Sequence, residues 1–365
     1  MKRSCPLLDY EVNVDTQGAG FYSCCWTTDY SFDTLDKLRD WQQEQKQTFR
    51  ENKWPTACKV CQNSEKNTGQ SLRTDMLTEE KDYNPDTAVP KIKYSNISYK
   101  NLCNYVCIIC NPGSSTAIYD LIKETDLQPD HWSNNSVKST NLDNSAALEE
   151  YEKHIGSLER VTLLGGEPFL IKEYIDFLKK LSANCRVLVN TNASVYNQKL
   201  VDELKRFKHV SIGYSIDAYG EINEAVRLNS SWSTVERNVQ KLKQQLPEAY
   251  HYINPVITKF NVLHWEKLYL WAVQHGLYSN NAFWQNVITN PEAQKLCYIP
   301  QDWHAEILDS LRKYNFQHWL QEYFNETPTI NIKQVQSEDI ILKNIAKFKN
   351  INYIELFPHI YQERI

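Results

Sequence analysis

Cys103-Asn104-Tyr105-Val106-Cys107-Ile108-Ile109-Cys110 has the spacing C-x3-C-x2-C and comes soon after Ile92–Ser98, a stretch that reads as a strand. Three thiolates on so short a loop can wrap one corner of a cube of iron and sulfide, but they cannot complete a four-ligand site. A four-iron cluster held this way keeps one iron without a protein ligand. Catalytic metal sites likewise keep a position open for a reactant. Structural zinc would need a fourth ligand close by, and over the next forty residues only His131 adds a Cys or His.

Outward from this loop, short apolar strands alternate with amphipathic helices. Ile92–Ser98, Val161–Leu164, Arg186–Asn190, Val210–Ile216, Ile253–Phe260 and Ala282–Ile288 read as strands. Ser114–Lys123, Ala146–Ile155, Ile171–Leu181, Gln198–Phe207, Ser233–Leu246 and Glu266–His275 read as helices, by apolar residues recurring every three or four positions. Such alternation implies an α/β fold with a parallel sheet and helices outside it, as a barrel or a doubly wound sheet. In a parallel barrel, function collects at the C-terminal ends of the strands. The expected organisation is a cysteine-rich region over 1–75, containing a helix over Phe32–Glu51, and a polar linker over 76–90. The barrel-like region comes next over 91–290, then a mainly helical region over 291–365.

The chain has 365 residues, enough for one large domain with an appendage or for two domains. No run approaches the ~18 apolar residues of a membrane span. Met1-Lys2-Arg3-Ser4-Cys5-Pro6 lacks the apolar segment of a secretion signal, so the expected compartment is the cytosol. A net charge of −5, with both signs interspersed, argues against bulk electrostatic gripping of nucleic acid. Ten cysteines in a reducing compartment read as metal ligands rather than disulfides. Cys185 and Cys297 stand alone and are expected to be buried or free thiols.

Further motifs succeed the triplet in order. Gly165-Gly166-Glu167-Pro168 ends the second strand. Its glycines admit a ligand close to the backbone, and Glu167 offers a carboxylate for an ammonium group; a tight turn is the competing reading. Asn190-Thr191-Asn192 ends the third strand and Ser215-Ile216-Asp217 the fourth, with Glu224-Ala225-Val226-Arg227 after it. Together with the triplet, these resemble the radical S-adenosylmethionine superfamily. The resemblance implies a partial (β/α)6 TIM barrel and a 4Fe–4S cluster on Cys103, Cys107 and Cys110. It further implies that S-adenosylmethionine is held by Gly165, Gly166, Glu167, Pro168, Asn190, Asn192, Ser215, Asp217 and Arg227, with Tyr105 and Ile109 beside it. Glu167 would contact the amino group, Ser215 and Asp217 the ribose and methionine moiety, and Arg227 the carboxylate. Ile109 stands where relatives commonly carry an aromatic residue near the adenine. A salt bridge for Arg227, and helix capping for Asn192 and Asn261, stay open as alternatives.

The front cysteines form a second pattern. Cys5-Pro6 is succeeded by Gly18 and Gly20, Cys24-Cys25, Trp54-Pro55, and the pair Cys58 and Cys61 ahead of Ser71-Leu72-Arg73. This resembles a Twitch or SPASM extension, here preceding the barrel instead of coming after it, as in Twitch-domain-containing radical S-adenosylmethionine proteins. It implies a second, auxiliary 4Fe–4S cluster on Cys5, Cys24, Cys58 and Cys61. Cys25 competes with Cys24, and zinc on the same thiolates stays open.

The resemblance also implies the chemistry. A donor of the flavodoxin or ferredoxin class reduces the first cluster, S-adenosylmethionine is cleaved, and a 5′-deoxyadenosyl radical abstracts hydrogen from substrate. The expected substrate is a small molecule or a nucleotide, with peptide modification as the alternative. From a different class, a non-catalytic iron–sulfur or zinc scaffold remains a reading. No catalytic side chain is assigned by the sequence.

Overall fold

The computed structural model describes residues 4–15, 20–27, 29–133, 145–277, 286–314, 320 and 323–361. Gly18 and positions 282–285 of the expected sixth strand lie outside the described residues. The fold is α/β, built on a mostly parallel seven-stranded sheet. The strands in chain order are β1 (Asn13–Asp15), β2 (Gly20–Tyr22), β3 (Tyr94–Ser98), β4 (Val106–Cys107), β5 (Arg160–Leu163), β6 (Arg186–Thr191), β7 (His209–Tyr214), β8 (Arg227–Leu228) and β9 (Tyr250–Ile253). The sheet has the order β2-β1-β3-β5-β6-β7-β9, while the short β4 and β8 pair separately. The chain divides into two compact units, residues 1–100, 138–189 and 202–210, and residues 101–137, 190–201 and 211–365.

In the first unit, β3, β5 and β6 pair in parallel, with Ile97 opposite Leu163 and Leu163 opposite Val189. Val161, Leu163, Val187 and Val189 are buried, while the alternating Thr162 and Leu188 are only half-buried. One sheet face is therefore closed by packing and the other is more open. The cysteine-rich front enters this same sheet. β1 runs parallel to β3 through Val14 opposite Ile97, and β2 returns antiparallel to β1. The Leu35–Arg50 helix starts at Thr34, whose side chain caps Lys37 N, and buries Leu35, Leu38 and Phe49. The stretch read as a linker begins inside a helix, Leu72–Glu79. Its start is set by a Ser71–Thr74 capping box, and Met76 is buried.

In the second unit, β7 and β9 are parallel, with Ser211 opposite Tyr250 and Tyr214 opposite Ile253. The expected strand over Ile253–Phe260 ends at Ile253. Pro255 carries no ladder N–H, and side chains take up N–H groups beyond it: Val256 N donates to Asp217 Oδ1 (2.8 Å) and Thr258 N to Asn261 Oδ1 (2.8 Å). The C-terminal region is helical at Gln301–Arg312 and Ile332–Phe348. Phe357 is fully buried there, packed edge-on against Phe260 and Tyr353.

Candidate metal and cofactor site

The triplet loop is shaped by its own backbone and by β8. Cys107 sits opposite Arg227 in the β4–β8 pair, and Ile108 N donates to Val226 O (3.0 Å). Cys110 N donates to Cys107 O (3.0 Å), closing the turn between the last two cysteines. Thr116 Oγ1 accepts from Cys103 N (3.2 Å) and donates to Cys103 O (3.0 Å), which ties the first cysteine to the next helix. Tyr105 is buried, with Ser115 Oγ donating to its carbonyl (2.7 Å), and Ile109 packs on the apolar cluster around Val106 and Ile108.

Two N–H donors point at the sulfurs. Asn192 Nδ2 donates to Cys103 Sγ and Arg227 Nη1 to Cys107 Sγ, each at 3.7 Å. Arg227 is buried, and its Nε lies 2.7 Å from Asp217 Oδ2. Burial disfavours the Arg227 charge, but Asp217 and the Cys107 sulfur outweigh it and hold the guanidinium above its usual pKa. Asp217 is fixed in turn by Asn223 Oδ1 at its N–H (3.1 Å) and by Asn261 Nδ2 at its carbonyl (2.9 Å). Asn261 therefore caps a turn and also supports Asp217.

Burial pushes the Cys107 thiol well up, opposed by Arg227. Burial and the neighbouring Cys103 bring Cys110 to about 11. Without metal, Cys107 and Cys110 thus stay protonated at neutral pH, and loading a metal must release their protons. Thiols near enough for their charges to disfavour one another's ionisation, with N–H donors aimed at two sulfurs, suit a cluster whose iron takes up the thiolate charge and whose sulfurs accept hydrogen bonds. Among the described residues, no three Cys, His, Asp or Glu side chains are gathered as around a single ion. In a four-iron cluster each cysteine binds a different iron, so wider spacing is compatible with it. His131 Nε2 is hydrogen-bonded to the Ile108 carbonyl (3.0 Å), and its Nδ1 lies 3.4 Å from Glu338 Oε2.

Asn190, at the end of β6, has a buried Oδ1 with no hydrogen-bond partner among the described residues. It lies over Gly213, where a Cβ would come within 2.5 Å of it. Ser215 N donates to Thr191 O (2.8 Å), linking the two strand-end motifs.

In the first unit, Gly165 comes directly after Leu164 beyond β5 and has φ +102°. A Cβ there would lie 2.5 Å from the Lys100 carbonyl, which accepts from Gly166 N (2.9 Å). Glycine is thus required by the conformation and by the approach of Lys100, three residues before Cys103. Glu167 is fully buried and caps the Pro168–Leu170 turn by accepting from Phe169 N (3.0 Å).

Four front cysteines, Cys5, Cys24, Cys58 and Cys61, line one cavity together with Trp26 and Arg73. Cys58 ends a 3-10 turn and Cys61 lies in the first turn of the Lys59–Thr68 helix, so their spacing puts both on one side. Cys24 is held by Thr27, whose Oγ1 accepts from Cys24 N (3.0 Å) and donates to Cys24 O (3.0 Å). Cys25 is exposed and does not line the cavity. Burial, then the neighbouring Cys61, raises the Cys58 thiol to about 12, with Arg73 opposing. Arg73 stands out in the sequence only as part of a motif. It donates to Ser4 O (2.8 Å) and pairs with Glu65 (2.6 Å), placing a cation beside the thiols. Four thiols lining one cavity beside a cation fit a second thiolate-held group.

Residues 97–272 match the model of the radical SAM superfamily. A GTP 3′,8-cyclase of Desulforamulus reducens is 20% identical over 161 residues, which are 41% of this chain and 43% of that enzyme, so the match spans less than half of the relative's length. The structure is also similar to native anSMEcpe with bound AdoMet (17% identity, TM-score 0.42, 63% of this chain and 62% of that one). A second similar structure is Streptococcus suis SuiB bound to the precursor peptide SuiA (12% identity, TM-score 0.40, 83% and 68%). Among the described residues, no helix is long and apolar enough to cross a membrane.

Proposed function

We propose, from the match of residues 97–272 to the radical SAM superfamily, that this chain is a radical SAM enzyme with a partial barrel and two iron–sulfur sites. The observation that carries the reading is the triplet loop: three thiols on one short turn, with Asn192 and Arg227 donating to two of their sulfurs. A 4Fe–4S cluster with S-adenosylmethionine, if bound here, would supply one-electron radical chemistry for hydrogen abstraction from substrate.

The chain's own residues bind and orient. Cys103, Cys107 and Cys110 hold the cluster. Arg227, oriented by Asp217, would offer its cationic fork to the cofactor's carboxylate, and Glu167 is the residue we assign to its amino group. Ser215 and Asn190 serve the ribose side, while Tyr105 and Ile109 exclude water. Cys5, Cys24, Cys58 and Cys61 hold the auxiliary cluster. Cys24 takes the second position over Cys25 because it lines the cavity with the other three. Four thiolates would leave no iron open to a reactant, so the role these residues would support is electron transfer. The substrate is a small molecule of the nucleotide class, a reading favoured by the likeness to GTP 3′,8-cyclase.

Anaerobic reconstitution tests this. The wild type should take up about eight irons, and Cys107→Ala about four, as two four-iron clusters require. Zinc at either site, or no iron–sulfur absorption, would overturn the assignment.

A further inference from the structure

The carbonyl of Ile108, between Cys107 and Cys110, accepts from two donors: buried Gln294 Nε2 at 2.6 Å and partly buried His131 Nε2 at 3.0 Å. Behind each donor stands a carboxylate from the same helix. His131 Nδ1 faces Glu338 Oε2 at 3.4 Å. The next residue on the Ile332–Phe348 helix, Asp339, holds Lys259 Nζ with both oxygens at 2.7 Å, and Lys259 N donates to the Gln294 carbonyl (2.9 Å). The last helix closes the same cluster through His359 Nε2 on Lys259 O (2.6 Å) and Tyr361 OH on Asp339 O (2.9 Å). Trp132 Nε1, beside His131, donates to the Cys110 carbonyl at 2.8 Å.

Taking Lys259, Asp339 and Glu338 out of water carries a desolvation cost that apolar side chains of the same size would avoid. Simple packing of the C-terminal helix does not call for these groups. Their two arms end on one carbonyl, the one between two cysteines. We propose that the Ile332–Phe348 helix is a positioning element for the triplet. Glu338 acts through His131, and Asp339 through Lys259 and Gln294, to fix the Ile108 carbonyl and so the spacing of Cys107 and Cys110. The inference rests on the reading of that loop as the ligand of a cluster that binds S-adenosylmethionine. Glu338, Asp339, His131 and Gln294 are positioning residues and touch no reacting atom.

The test compares Gln294→Met, Glu338→Leu and Glu338→Gln in the full chain, reconstituted anaerobically and reduced with dithionite. Electron paramagnetic resonance is recorded during titration with S-adenosylmethionine. Gln294→Met and Glu338→Leu should broaden the component that responds to S-adenosylmethionine and raise its half-saturation by about tenfold or more, as loss of outer-shell partners does elsewhere. Glu338→Gln keeps an acceptor for His131 and should restore both. A lower unfolding midpoint with the wild-type line shape and half-saturation would show a structural role only and overturn the proposal. Should Glu338→Leu fail to fold, Gln294→Met decides alone. A wild-type signal that ignores S-adenosylmethionine would sink the cofactor reading itself, and this inference with it.

Discussion

Raising the pH of the metal-free protein should weaken it through the triplet thiols, and the size of the effect can be worked from one of them. Cys110 ionises at about 11 in the fold against 9.0 for an unperturbed thiol, because burial and Cys103 disfavour its thiolate. Below pH 9 the thiol is protonated in both the folded and unfolded chains, and its contribution is fully present. Between pH 9 and 11 the unfolded chain ionises first and is favoured by about 1.4 kcal/mol per pH unit. The loss therefore accumulates to about 3 kcal/mol and stops once the folded thiol ionises as well. Burial holds several tyrosines well above their usual pKa, so they too ionise first in the unfolded chain as the pH rises, and the informative quantity is the difference between wild type and Cys110→Ala. Urea midpoints are measured from pH 8 to 11 with chelator and reductant present. The stability of the wild type relative to the variant should fall by about 3 kcal/mol across that window. A difference independent of pH would refute the claim that the fold holds Cys110 as a thiol until metal displaces its proton.

Three further outcomes are expected. Asp217→Ala should cost about 3–5 kcal/mol in urea unfolding by stranding buried Arg227. Asp217→Asn, which can still accept from Val256 N, should cost clearly less, and equal losses would contradict the pairing. Gly165→Ala should lower stability by about 1–3 kcal/mol, since φ +102° and the Lys100 carbonyl both oppose a side chain; an unchanged thermal midpoint would argue against that turn. Cys58→Ala should remove about half the iron and leave the signal that responds to S-adenosylmethionine. Loss of both clusters would show that the front site is needed for folding.

The parts legible in the sequence were those with local signals. Runs such as Arg186–Asn190 and Val210–Ile216 announce strands by β-branched residues alone, and the cysteine spacings announce thiolate sites. β1 and β2 were not legible, because three-residue strands carry no usable period and sit among cysteines and glycines. The strand expected through Phe260 failed because Pro255 interrupts it and because Asp217 and Asn261, distant or non-ladder partners, take its N–H groups. Arg227 stood out as a charged residue after a motif, but its pairing with Asp217 and its register opposite Cys107 are tertiary facts. The clamp on Ile108 was beyond reach: Gln294 lies 186 residues away and belongs to no motif.

The central claim is that the triplet binds a cluster which cleaves S-adenosylmethionine. The direct measurement is 5′-deoxyadenosine, quantified by chromatography after the reconstituted protein is reduced by dithionite with S-adenosylmethionine and no other substrate. Wild type should yield 5′-deoxyadenosine and methionine in equal amounts, and Cys110→Ala none. Iron-loaded wild type that yields neither product, or Cys110→Ala that yields as much, would contradict the claim.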